Sequence, residues 1–187
     1  TNGELWMWGK GDEGQLGLNT GDPTRRSSPV QIPGTTWNIT EVANTVNVVS
    51  VFKTDGTLWG WGDNLNGSLG QNQAPAQLAG YSSPVQLSGT TWNQIAVYDD
   101  GGRLATRSDG TAWSWGFNQY GGMLAQADKT NRSSPTQIPG TTWKKCMTGD
   151  NGSAMGLKTD GTMWAWGINQ TGVLGLNQTA DNVKLSS

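Results

Sequence analysis

Histidine is absent from this chain, and cysteine occurs once, at Cys146. The first absence removes the commonest general base and the commonest metal-ligating side chain together. The second excludes an internal disulfide and a paired-thiol metal site, and leaves the redox compartment open. Charge is scarce too: 12 Lys and Arg stand against 14 Asp and Glu, a net charge of −2. That balance argues against nucleic acid as a partner, since binding phosphates takes a basic face that displaces their counterions. No run reaches the roughly 18 apolar residues of a membrane-spanning helix, so membrane insertion is not expected. Helical periodicity is missing throughout. What the 187 residues hold in excess is glycine (28) and tryptophan (11), in a length sufficient for one domain with a core.

The glycines and tryptophans are not scattered. Asp55-Gly56-Thr57-Leu58-Trp59-Gly60-Trp61-Gly62 recurs as Asn2 to Gly9, Asp109 to Gly116 and Asp160 to Gly167. Each copy reads as a tight Asx-Gly turn with φ > 0 at both central residues, followed by a strand with both Trp on one face. The residue between the two Trp (Met7, Gly60, Ser114 or Ala165) is mostly small, which predicts a layer pressed close behind. Four copies at a near-constant interval define a repeat protein.

Three further parts complete the unit. A loop ends in Leu-Gly at Leu16-Gly17, Leu69-Gly70 and Leu174-Gly175, and as Leu124-Ala125 once an insertion is allowed. Ser-Ser-Pro then opens a strand at Pro29, Pro84 and Pro135; proline at a strand's first residue suits an edge. Gly-Thr-Thr-Trp, ending at Trp37, Trp92 and Trp143, leads into two more strands: 39–43 with 47–53, 94–98 with 103–107, and 144–147 with 154–158. Four short strands in a unit of about 50 residues match an antiparallel propeller blade. The fold expected is therefore an all-β propeller of four-stranded antiparallel blades. The repeat units run over approximately 1–53, 54–107, 108–158 and 159–187, about three and a half blades. That number is below the four of the smallest closed ring, so the chain is expected to be a partial propeller, a segment of a larger one.

These motifs are similar to those of the regulator-of-chromosome-condensation repeat family, which implies a seven-bladed ring. The likeness covers essentially the whole chain, and Gly-Thr-Thr-Trp with Ser-Ser-Pro-Val-Gln resembles the bacterial and phage branch. The histidine common in the family before the Asx-Gly turn is absent, with Val49 and Ser153 near that place, and the third Leu-Gly is irregular. The resemblance implies a rigid binding platform with diverse uses: nucleotide exchange on a small GTPase with chromatin binding, β-lactamase inhibition, ubiquitin-ligase accessory domains, and microbial surface components. No segment matches a motif onto which nucleotide-exchange residues can be mapped.

No catalytic, cofactor-binding or metal constellation emerges. Asp55, Asp109 and Asp160 read as turn residues, and the recurring Trp read as packing. The loops 9–14 and 62–67 lack the acid series of a calcium site. Partner contacts are expected where the repeat is broken: Arg25, Arg26, Tyr81, Tyr98, Asp99, Asp100, Lys129, Arg132 and Asp150. The expected function is a non-enzymatic structural or interaction module with protein partners, in a microbial or viral surface assembly such as a virion, tail or adhesin. Its expected location is the virion or the cell surface. The alternative is an intracellular regulator of a small GTPase or chromatin. Carbohydrate binding requires exposed Trp.

Overall fold

The computed structural model describes residues 3–19, 25–73, 76–149 and 152–177. Thirteen strands lie among them: β1 Trp6–Gly9, β2 Arg26–Gln31, β3 Trp37–Asn44, β4 Val48–Lys53, β5 Leu58–Asp63, β6 Gly80–Gln86, β7 Trp92–Val97, β8 Arg103–Arg107, β9 Ala112–Gly116, β10 Arg132–Ile138, β11 Trp143–Thr148, β12 Ser153–Lys158 and β13 Met163–Gly167. They pair antiparallel into four sheets: β1-β2, β3-β4-β5-β6, β7-β8-β9-β10 and β11-β12-β13. Each full sheet begins at the Trp of Gly-Thr-Thr-Trp, so it straddles two sequence periods. β7 packs against both β3 and β11, so the first strand of each sheet lies on the side where the sheets converge. These are propeller blades, as the repeat predicts.

Three buried clusters hold the blades together. The Trp that opens each blade packs edge-on or tilted against both Trp of the same blade's third strand: Trp37 against Trp59 and Trp61, Trp92 against Trp113 and Trp115, Trp143 against Trp164 and Trp166. A cation caps each trio. Lys53 Nζ lies 4.2 Å from the Trp59 ring centre, Arg107 Cζ 4.1 Å from Trp92, and Lys158 Nζ 4.5 Å from Trp164. The second Trp of each pair is buried, as a packing role requires. Trp6 and Trp8 depart from it, at 45% and 61% exposed; among the described residues β1 pairs with β2 alone.

The Asx-Gly turns differ from the expected geometry. Gly56, Gly110 and Gly161 have φ of 79°, 82° and 87°, while the Asp before each stays in the ordinary region. The Lys53 carbonyl accepts from Gly56 N, and Lys53 N donates to the Thr57 carbonyl. That is a type I turn closed by a left-handed glycine bulge, which needs only one positive φ. The Asp is used for its side chain instead: Asp55 Oδ1 accepts from Thr57 N at 3.0 Å and Thr57 Oγ1 at 2.6 Å. Thr57 Oγ1 in turn accepts from Trp59 Nε1 at 2.8 Å. The same chain recurs at Asp109, Thr111 and Trp113 and at Asp160, Thr162 and Trp164. The prolines also sit elsewhere than expected. Pro29, Pro84 and Pro135 lie inside β2, β6 and β10, where the pairing register shifts, between Gly60 and Gly62 on β5 for example. An edge strand with a bulge has no ladder donor to lose there.

Candidate functional site

Antiparallel pairing divides the connections between two faces. The Asx-Gly turns and the Gly-Thr-Thr-Trp segments lie on one, here the turn face. The β3–β4 and β7–β8 turns, with the long loops after β1, β5, β9 and β13, lie on the other, the loop face. Each sequence-expected contact residue within the described set belongs to a loop-face connection or to the strand end beside it. Asp150 lies outside the described residues.

These residues do not form one cluster. Arg25, Asp99, Asp100 and Lys129 are exposed, and Arg26 and Tyr81 are half-buried. Tyr81 packs against the cluster of Leu5, Trp37 and Trp61. Arg132 is tied down by Asp128, Nη2 to Oδ2 at 2.6 Å. Asp128 also accepts from Thr130 N and Asn118 Nδ2, and the Thr130 N–H followed by the Arg132 guanidinium holds its carboxyl below the usual range. That ion pair shapes the loop before β10. Tyr98 is a core residue, packed with Leu104, Met123 and Trp166, its hydroxyl donating to the Met123 carbonyl at 3.3 Å. Burial, then the neighbouring Cys146, raises its pKa well above 10.0. Burial likewise pushes the Cys146 thiol up to about 12, so it supplies no thiolate at neutral pH.

Asp99 and Asp100 are the two expected residues that the fold sets around a common cavity. A pocket of about 300 Å³ opens on the loop face between the β3–β4 turn (Thr45 to Asn47) and the β7–β8 turn. Asp63 lines it from the end of β5, and Phe117 and Tyr120 from the loop after β9. Among the described residues its lining holds three carboxylates and no basic residue. Phe117 and Tyr120 stand edge to face at 4.9 Å, the tyrosine more than half exposed. Asn47 Oδ1 is buried with no hydrogen-bond donor among the described residues. Asp63 Oδ1 accepts from Leu65 N at 2.8 Å, leaving Oδ2 for other donors. The arrangement offers acceptors and an aromatic surface, which suits a cationic or donor-rich group.

Asp63, Asn47, Phe117 and Tyr120 are residues the sequence reading missed. Asp63 and Phe117 occupy one place in the repeat, after Trp-Gly, where the other copies carry Lys10 and Ile168. Variation at a fixed place was the signal available.

The regulator of chromosome condensation (RCC1) repeat model matches residues 2–51. The chain is 26% identical over 184 residues to the ultraviolet-B receptor UVR8 of Arabidopsis thaliana, covering 96% of this chain and 40% of that protein. It is 33% identical over 132 residues to the RCC2 homolog of Danio rerio, covering 68% of this chain and 25% of that protein. The chain belongs to the RCC1-repeat family. It spans well under half the length of these relatives. Among solved structures, human WBSCR16 superposes with a TM-score of 0.75 at 20% identity, covering 97% of this chain and 47% of that one. Prp20p of Saccharomyces cerevisiae gives 0.75 at 18% identity, with 97% and 46% covered. These likenesses show the RCC1 propeller fold.

Proposed function

We propose that this RCC1-type propeller is a non-catalytic interaction module that binds a protein partner on its loop face, in the pocket between the β3–β4 and β7–β8 turns. The pocket itself carries the reading: Asp63, Asp99 and Asp100 surround about 300 Å³ with no basic residue in the described lining. Leu65 and Val46 add exposed apolar surface at the rim. A partner segment with an Arg or Lys beside an apolar residue complements both features. The loops that carry these groups stand on a packed framework, so little ordering is lost on binding. The setting we favour is a structural subunit of a microbial or viral surface assembly, supported by low charge and by the Gly-Thr-Thr-Trp and Ser-Ser-Pro repeats. A second reading, a regulator of a small GTPase or of chromatin, is favoured by the likeness to Prp20p, whose structure is described with its binding to Gsp1p and histones.

The test is fluorescence anisotropy with a labelled basic peptide and an acidic peptide of equal length. Saturable binding of the basic peptide, weakened in the Asp99→Asn/Asp100→Asn variant at unchanged melting temperature, supports the site. Equal binding of both peptides, or binding indifferent to the variant, overturns it.

A further inference from the structure

The loop-face pocket lies between the two four-stranded blades, β3–β6 and β7–β10. Each of them has another sheet on its far side: Trp61 reaches back to the Gln15 carbonyl beyond β1, and β11 packs on β7. The pocket therefore belongs to the middle of the chain. Asp63 reaches it from the end of β5, and Asp99 and Asp100 from the β7–β8 turn. Among the described residues no Lys or Arg pairs with any of these three carboxylates; the ion pairs are Lys10 with Asp12 and Arg132 with Asp128. Asp63 commits one oxygen, Oδ1, to the Leu65 N–H. Asn47, on the β3–β4 turn, adds a buried Oδ1 with no donor among the described residues.

Acceptors thus stand on three separate walls, and a further wall is aromatic. Tyr120 is 56% exposed, and its ring meets that of Phe117 edge to face at 4.9 Å. Phe117 is buried in the cluster of Leu104, Met123 and Trp166, so the exposed ring rests on the core. The two basic side chains differ in what they ask of such a site. A Lys ammonium gathers three donors at one point and holds its water strongly. An Arg guanidinium spreads five N–H groups over a plane, is more weakly hydrated, and stacks on an aromatic face. Dispersed acceptors beside an exposed ring match the guanidinium.

We infer that the pocket selects arginine over lysine in the partner segment it holds. The inference rests on the loop-face reading above and deepens it. The partner's guanidinium lies on the Tyr120 ring and donates to Asp63 Oδ2 and to the carboxylates of the β7–β8 turn. Tyr120 is the residue that determines specificity, because the carboxylates attract either cation while only the planar one gains from stacking.

The experiment is fluorescence anisotropy with labelled peptides of one Leu-containing sequence whose basic positions are all Arg, all Lys or all citrulline. They are titrated against the wild-type chain, Tyr120→Leu and Tyr120→Phe, each checked for an unchanged melting temperature. The Arg peptide is expected to bind about tenfold tighter than the Lys peptide. Citrulline, planar but uncharged, should not bind. Tyr120→Leu should bring Arg down to the affinity of Lys and leave Lys unchanged, and Tyr120→Phe should keep the preference. Equal affinities for Arg and Lys in the wild type overturn the selectivity and leave the loop-face site standing. A preference that survives in Tyr120→Leu overturns the role of the ring. Failure of both basic peptides to bind, or citrulline binding as tightly as Arg, removes the loop-face reading itself and this inference with it.

Discussion

Trp115 and Ser68, 47 residues apart, are joined by a hydrogen bond of 3.0 Å from the indole nitrogen to the backbone oxygen. The bond crosses from one blade to the next, in the interior. Trp115→Phe keeps most of the apolar volume and leaves the Ser68 carbonyl without this donor. Chemical denaturation should show a loss of about 1–3 kcal/mol, the cost of an unsatisfied buried acceptor. A loss no larger than that of an exposed Trp8→Phe change would mean the bond does not join the blades.

The glycines after the recurring Leu differ in what surrounds them. A Cβ on Gly70 would stand 2.6 Å from Leu87 Cδ1 and 3.1 Å from Trp115, whereas none of the described residues lies within 4 Å of one on Gly175. Both have positive φ, 65° and 68°. Gly70→Ala should cost about 2–4 kcal/mol, adding overpacking to backbone strain, and Gly175→Ala about 1–2 kcal/mol from strain alone. Ala125 stands at the corresponding place before Trp166 with a φ of 57°, so the position admits a methyl where its neighbours are arranged for one. Equal costs by thermal melting would contradict the packing argument.

Arg103 is fully buried on β8, at the place in the repeat that Val49 and Ala154 occupy. Its Nη1 donates to the Gly102 carbonyl at 3.0 Å, while Nε and Nη2 have no partner among the described residues. Burial lowers its pKa from 12.5 to about 10. A base whose folded pKa is depressed is destabilising while charged, so the penalty is in full force below about pH 10. Arg103→Met should therefore raise stability at neutral pH by about 1–4 kcal/mol. The Gly102 carbonyl keeps the Tyr98 N–H at 2.9 Å. A lower melting temperature in this variant would show that the guanidinium is satisfied.

Asp55, Asp109 and Asp160 have pKa values below their ordinary 3.8, chiefly through the hydroxyl and N–H of the Thr two residues on. A depressed acid contributes stability above the unfolded pKa and loses it as pH falls through the folded one. NMR titration should place all three midpoints below those of free Asp peptides, and acid should loosen the Asx-Gly turns below about pH 4. In Asp109→Asn the stability curve should be flatter over that range. An unchanged slope would remove this residue from the acid response.

The blade was legible because its signals are local and repeated. Asp-Gly with Trp-x-Trp marks a turn and a strand whose period and bulge glycine need no tertiary information. The turn subtype was not, since Asp serves both a left-handed position and an Asx hydrogen bond, and the downstream Thr decides between them. Lys53, Arg107 and Lys158 were visible as a recurring basic residue two places before Asx-Gly. Their use became clear only once the opening Trp was seen to lie beside the strand pair. The pocket was least legible: Asp63, Asp99 and Tyr120 are far apart in sequence and meet only because adjacent blades bring their loop-face connections together. Tyr98 broke the repeat pattern as a surface residue does, yet its ring fills space behind Met123.

The proposed role stands on a protein partner held at the loop face. Its most direct measurement places a photoreactive residue at Asp100, in the pocket, or at Asp109, on the turn face, and maps cross-links in the protein's native setting. A specific adduct is expected from position 100, lost in the Asp99→Asn background, and none from position 109. Adducts from position 109 alone, or from both in equal yield, would contradict it.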